Sequence, residues 1–436
     1  MRAIKTFITF SGSIAILSFL IFLNASCSKQ SASLSAEQSV KADSIENSFS
    51  TNPKVAAAQK LIEKSPDLPA GYNQLASAYI HLARENGDFR LNQTAVNAVD
   101  KALEVDSQNE DAQKLHASLL LTFHRFPDAL EAGENLRQKY PQDAFVYGVL
   151  TDANVELGNY DEAVESVQKM VDLRPNMESY ARVSYVRSLY GDTEGAIQAM
   201  TTAANIADPS DKEGRAWCIV HLGNEYFKAG RYKEAESAYD IALKTLPDYH
   251  FALAGKGLAR MANGDYENAI KFLEQAQNRI PLTETVIALG DLYKKTGNAE
   301  KADEQYKLVE IVEQKLNLTA DQRRLALFWA DHDMKLDEAL EIAARMHGIQ
   351  NDVLTDDIYA WCLYKKGRFD EAKAAMSEAL RIKDKDARTF YHAGMIEKAL
   401  GNKKEAKQFL QKALQTNPAF DLLQADVAKS ALQELQ

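Results

Sequence analysis

A chain of 436 residues with 46% apolar side chains would ordinarily hold two or three globular domains. Its 62 acidic residues outnumber 51 basic ones, for a net charge of −11. That balance argues against a nucleic-acid partner, which wants basic stripes, and against a polybasic membrane patch.

The chain opens with MRAIK, which carries two positive charges, and continues with the apolar run FITFSGSIAILSFLIFL and then LNASCSK. A short basic start and an apolar run of this length are the marks of a signal peptide. Small residues running into a cysteine resemble the bacterial lipoprotein signal, in which the cysteine is lipidated and becomes the new N-terminus. The resemblance implies a signal peptide over 1–26 and Cys27 as the lipid site. The pattern departs from the usual one at Asn24, where Leu is commonest, with Leu23 one place early. The alternative is an uncleaved transmembrane anchor, since the run approaches the ~20 residues that cross a bilayer. Residues 28–52 hold eight serines in twenty-five positions and read as a flexible linker, with a reach of roughly 25 to 30 Å. No acidic run follows Cys27, so the expected location is the bacterial cell envelope, lipid-anchored at the outer membrane and facing the periplasm.

From residue 53 the pattern turns helical. PKVAAAQKLIEK, before Pro66, reads as a lone helix. A recurring unit follows, clearest at 216–247, AWCIVHLGNEYFKAGRYKEAESAYDIALKTLP. Ile219, Leu222, Gly223 and Tyr226 fall on one face of a first helix, and Ala235, Tyr239 and Ala242 on one face of a second. Gly230 suits the left-handed residue that ends the first helix, and Pro247 stops the second. The unit is a helical hairpin in which Gly223 is expected to face Ala235 and Ala242, with aromatics on the flanks.

The turn of this hairpin, Gly-x-x-x-x-Ala, recurs at 158–163, 191–196, 230–235, 264–269, 297–302, 367–372 and 401–406, with Pro141, Pro175, Pro247, Pro281 and Pro418 in phase. A period of about 34 residues means stacked repeats, and it replaces the prior of several globular domains by one elongated domain. The spacing resembles the tetratricopeptide repeat (TPR): Leu/Ile, Leu, Gly/Ala, Tyr in the first helix, then Ala, aromatic, Ala, Pro in the second. The resemblance implies an all-α, right-handed superhelical solenoid of about ten hairpins, starting near 69, 110, 144, 177, 216, 250, 283, 320, 353 and 387. The solenoid spans 53–420. The hairpin from 69 carries RENGDFRLN as an insertion in its turn, and the one from 320 lacks the turn glycine. Residues 421–436, DLLQADVAKSALQELQ, read as a capping helix with a polar outer face.

No catalytic constellation stands out: no phosphate loop, nucleophile elbow or paired-cysteine site is present. Asp331, His332 and Asp333 are metal-ligand types, yet consecutive residues on a helix point in three directions and cannot share one ion. Cys218 and Cys362, some four hairpins apart, are too distant for a disulfide and read as small core residues. The expectation is therefore no enzyme, no cofactor and no metal.

The resemblance also implies a concave groove lined by the second, fifth, ninth and twelfth positions of each first helix. Carried onto this sequence, those positions are Tyr185, Trp217, Val220, Asn224, Phe227, Phe251, Leu258, Met261, Phe328, Trp361, Tyr364 and Tyr391, with Asp291 and Lys294 between them. Exposed, such aromatics would form an apolar binding strip. Val220 stands where a carboxylate-gripping groove of this family would carry lysine, so recognition of a peptide C-terminus is not expected. The expected function is a non-catalytic, membrane-tethered scaffold that binds protein or peptide partners in the envelope. The alternative is a solute-binding lipoprotein that uses the same groove for a sugar or another small molecule.

Overall fold

In the computed structural model the described residues are 52–315, 321–382 and 385–435. Cys27, the signal-like stretch and nearly all of the serine-rich segment lie outside them. Residues 53–436 form one compact unit. Among the described residues, no helix is long and apolar enough to cross a membrane.

Helix α1 (Pro53–Lys64) precedes ten hairpins. The first four are α2 (Pro69–Asn86) with α3 (Leu91–Val105), α4 (Glu110–Thr122) with α5 (Phe126–Lys139), α6 (Ala144–Glu156) with α7 (Tyr160–Leu173), and α8 (Met177–Leu189) with α9 (Thr193–Ile206). The middle three are α10 (Lys212–Lys228) with α11 (Tyr232–Thr245), α12 (His250–Ala262) with α13 (Tyr266–Arg279), and α14 (Thr283–Lys295) with α15 (Ala299–Lys315). The last three are α16 (Arg323–Asp331) with α17 (Leu336–His347), α18 (Val353–Lys365) with α19 (Phe369–Ala379), and α20 (Ala387–Ala399) with α21 (Lys403–Thr416). Helix α22 (Gln424–Glu434) closes the array. The molecule is an all-helical solenoid.

Local chemistry explains the punctuation. Asn109, Asp143, Asn176, Asp192, Asp211, Asp265, Asp352 and Asp386 each precede a helix and accept a first-turn backbone N–H, satisfying donors the helix itself leaves unpaired. Eight hairpins turn through a glycine with φ between +70° and +84°. The hairpin from 110 uses His124 (φ +55°) there instead. In the hairpin that lacks the glycine, Asp333 (φ +55°) takes the same conformation, and one additional residue, Lys335 (φ +39°), follows it. The turn alanines Ala163, Ala235, Ala269 and Ala406 are all fully buried between the helices of their hairpins.

Two expectations change. RENGDFRLN is not a loop insertion: α2 continues to Asn86 and stops at Gly87, so the additional residues form another turn of helix. And Gly223 does not face the alanines of its own hairpin. Tyr239 lays its ring against it: a Cβ on Gly223 would stand 2.5 Å from Tyr239 Cε1, and one on Gly255 of the next hairpin would meet the same atom at 2.5 Å. The small residues therefore receive a large one from the neighbouring helix. Gly257 and Leu273 repeat this arrangement, as do Gly394 and Leu410.

Nearest-neighbour stacking is only part of the architecture. The solenoid coils tightly enough that hairpins well separated in sequence touch. Arg84, on the added turn of α2, meets Glu213 at the start of α10, which itself begins a turn earlier than expected; Tyr249 Oη donates to the same carboxylate at 3.0 Å. His124 lies 2.9 Å from Asp321. Tyr160 Oη accepts the Val353 N–H at 2.8 Å, and Asn417 Nδ2 donates to the Phe227 carbonyl at 3.0 Å. These contacts form a seam that joins one turn of the coil to the next.

Candidate functional site

The seam runs beside the inner face of the coil, which holds a partly open cavity of 840 Å³. Its apolar wall includes Tyr185, Phe227, Leu258, Phe328, Leu354 and Phe420, drawn from hairpins that start as far apart as 177 and 353 and from the segment leading to α22. Tyr185 is 44% exposed to water and yet surrounded by protein, because it projects into the cavity. That enclosure raises its phenol pKa well above the ordinary value.

The polar part of the wall forms two clusters. In the first, Arg323 at the start of α16 is buried and binds three carboxylates: Asp321 at 2.7 Å, Asp352 at 3.0 Å and Glu156 at 3.3 Å. Burial alone would push the Asp321 carboxyl up, but hydrogen bonds from His124 and Arg323 outweigh it and hold the pKa far below the usual range. Glu156 shares the same guanidinium less closely, and there burial wins and raises its pKa.

The second cluster sits at the other end of α16. Asp331 accepts the Trp361 indole N–H at 2.8 Å, and burial raises its pKa. Asp421 caps the start of α22 by accepting the Leu423 and Gln424 N–H groups. Arg388 lines the cavity with both carboxylates; burial would lower its pKa, but the combined field of Asp331, Asp386, Asp421 and Asp357 more than offsets that. Between the clusters His332 Nε2 lies 2.8 Å from Asp291, which also accepts the Tyr306 hydroxyl at 2.7 Å. Burial by itself would lower the His332 pKa, but Asp291 raises it.

The twelve groove positions separate into three groups. Tyr185, Phe227 and Leu258 line the cavity while only partly buried, and Met261 and Phe328 back the same wall as buried core residues. Trp217, Asn224, Phe251 and Tyr364 are half-buried and off it: Trp217 packs on His221 at 3.9 Å, Asn224 accepts the Tyr239 hydroxyl at 2.8 Å, Phe251 packs on His250, and Tyr364 stacks on Trp361. Val220, Trp361 and Tyr391, at 5%, 1% and 1% exposure, are core. Trp361 fills the space between neighbouring first helices, stacked 4.1 Å from His392 of α20 and bonded to Asp331 of α16. A regular spacing marks a stripe on each helix, but adjacent first helices pack along part of that stripe, and only the remainder faces inward. Lys294 is exposed and does not line the cavity.

The sequence reading missed Arg323 and Glu156, which lie off the family's inner positions, Asp421, which lies beyond the repeats, and Arg388, which holds the second position of the hairpin from 387 but was not singled out. Asp331, His332 and Asp333 do point three ways, to Trp361, to Asp291 and to Lys365. Cys218 and Cys362 are buried free thiols, each pushed up to about 12 by burial. Among the described residues one His/Asp/Glu group has metal-ligand spacing, His81 with Asp211 and Glu213, and Arg84 already occupies Glu213.

Models of the tetratricopeptide repeat match residues 114–178 and 221–281, and a second such model matches 283–309, 358–386 and 387–420. Among curated proteins, Superkiller protein 3 of Schizosaccharomyces pombe is 26% identical over 57% of this chain, which spans only 16% of that protein's length. The TPR repeat-containing protein YpiA of Bacillus subtilis is 20% identical over 74% of this chain and 67% of its own. Among solved structures, a human IFIT1 dimer with PPP-AAAA is 16% identical, covering 85% of this chain and 88% of that one, with a TM-score of 0.48.

Proposed function

The chain is a tetratricopeptide repeat protein, and from that premise we propose that it is a non-catalytic scaffold tethered to the bacterial envelope through Cys27, holding a segment of a partner protein inside its coil. The fold is of a kind that binds proteins. The observation that carries the reading is the inner wall, where Tyr185, Phe227, Leu258 and Phe420 present apolar surface that the coil's own packing leaves partly uncovered. Aromatic and aliphatic anchors in a sheltered pocket are the residues that dominate protein interfaces. The lipid anchor rests on the LNASCSK pattern, and with it the outer-membrane, periplasm-facing location.

A photo-cross-linking residue at Leu258, inside the cavity, and another at Glu267, on an exposed helix start, test the binding surface. A discrete protein adduct is expected from position 258 and none from 267. Equal labelling from both positions, or no protein adduct from 258, overturns the scaffold reading. The second reading, a solute-binding lipoprotein, draws on the cavity volume, which falls within the roughly 300 to 1,000 Å³ of small-ligand pockets. A melting-temperature shift that saturates with a small molecule, without a protein adduct, favours it. For the anchor, Cys27→Ser is expected to abolish acyl labelling and leave a precursor that retains residues 1–26. Unchanged labelling refutes it.

A further inference from the structure

A smaller cavity of 430 Å³ adjoins the first, and the two share four lining residues, Tyr185, Phe227, Arg388 and Phe420. Three of these are rings partly open to water, and the fourth is a cation. Arg388 forms no hydrogen bond or ion pair with any other described residue. The four carboxylates whose field it feels are engaged elsewhere. Asp331 accepts the Trp361 indole N–H, Asp357 lies 2.9 Å from His392 Nδ1, Asp386 caps α20 by accepting the Thr389 N–H at 2.8 Å, and Asp421 caps α22. Of the other cations on the smaller cavity, Lys228 pairs with Glu225 at 3.1 Å and Lys385 is exposed to water.

Charge and hydrogen bonding are therefore satisfied to different degrees at this one group. Carboxylates at a distance offset the positive charge of Arg388, while the N–H donors of its guanidinium meet no acceptor from the described protein and are left to whatever enters the cavities. A ligand carboxylate would bring a further negative charge among the four already present, and their repulsion would cancel much of the gain from Arg388. A neutral oxygen accepts the same hydrogen bonds without that repulsion. The three rings alongside offer apolar surface to whatever flanks that oxygen. Resting on the scaffold reading, we propose that Arg388 binds a neutral amide carbonyl of the partner segment, next to an apolar side chain seated against Tyr185, Phe227 and Phe420, and selects against a carboxylate in that place.

The probes are N-acetylphenylalaninamide, which is neutral, and N-acetylphenylalanine, its counterpart ending in a carboxylate, titrated into the full chain near neutral pH while the arginine Nε–H signals are followed by NMR. The Arg388 signal, identified by its loss in Arg388→Met, is expected to move as the amide is added. Arg388→Lys, which keeps the charge, serves for the same assignment should Arg388→Met fold poorly. Wild type is expected to bind the amide severalfold more tightly than the carboxylate probe, and Arg388→Met to bind the amide about tenfold more weakly than wild type does. Equal or tighter binding of the carboxylate probe, amide binding that leaves the Arg388 signal in place or keeps its affinity in Arg388→Met, or no amide binding at all overturns the proposal. If one of these is seen while position 258 still captures a protein, the scaffold stands and this inference alone falls. If the amide behaves as expected and position 258 captures nothing, the carbonyl site stands and the scaffold reading falls.

Discussion

At the scale of single residues, the small side chains define where large ones go. Tyr239 is held between Gly223 and Gly255, so Gly223→Ala is expected to destabilise by about 1 to 3 kcal/mol through overpacking. The double variant Gly223→Ala, Tyr239→Leu should recover part of that loss, a non-additivity that thermal melts of the four-member cycle would measure. The sequence reading placed Gly223 in the correct crowded interface but assigned it the wrong neighbours, because periodicity says which face a residue is on and not which residue lies opposite. His250 supplies a second test. It is buried with Nε2 unpartnered, and burial lowers its pKa from 6.5 to about 4. The unfolded chain therefore takes up a proton before the folded one does. Stability from this group is complete above pH 6.5 and declines toward pH 4, by roughly 1.4 kcal/mol per pH unit at most. His250→Phe should show a smaller drop in melting temperature between pH 7 and pH 5 than the parent. An equal drop would place the titration elsewhere.

At the scale of elements, the turns were legible and the helix lengths were not. Seven glycines announced seven turns because a left-handed residue is costly for any side chain with a Cβ. Gly87 (φ +77°) ends α2 in the same way but stands outside the Gly-x-x-x-x-Ala pattern, and nothing comparable announced that α10 would begin at Lys212. Both added turns are polar and break no pattern, and their use appears only when Arg84 of one reaches Glu213 of the other. The same distinction between local and distant constraint separates two glycines of similar backbone. Gly158 (φ +77°) and Gly264 (φ +79°) both end first helices, but a Cβ on Gly158 would collide with the Asn351 carbonyl across the seam, whereas one on Gly264 meets nothing. Gly264→Ala is expected to cost about 1 to 2 kcal/mol, from backbone strain alone. Gly158→Ala should cost clearly more, and denaturant titrations of the two variants would show the difference. Equal costs would mean that the seam is loose at that point.

At the scale of the whole coil, the repeat pattern predicted a solenoid stabilised by nearest neighbours, and seven evenly spaced turns made that legible. The closing of one turn upon the next was not, because it depends on pairs such as Tyr160 with Val353 and Arg323 with Glu156, more than a hundred residues apart and in no common motif. For the same reason only part of the cavity wall was foreseen: Phe328, Leu258 and Arg388 fall on the family's inner stripe, while Arg323 and Glu156 lie off it and face the cavity because the coil closes. Arg323→Met would leave Asp321, Asp352 and Glu156 facing one another, and is expected to cost about 3 to 5 kcal/mol. X-ray scattering should register a larger radius of gyration as the seam parts; an unchanged radius with unchanged melting would refute the seam's role. The seam also has a kinetic consequence. An open groove releases its occupant sideways in one step, but a coil whose turns are joined obstructs that exit until the joints separate. Ion-pair joints weaken as salt rises, so both loading and escape should quicken together with ionic strength even where the equilibrium affinity falls. Stopped-flow association and dissociation rates measured across a salt series would distinguish such a gated coil from an open trough, in which association gains nothing from weakened joints.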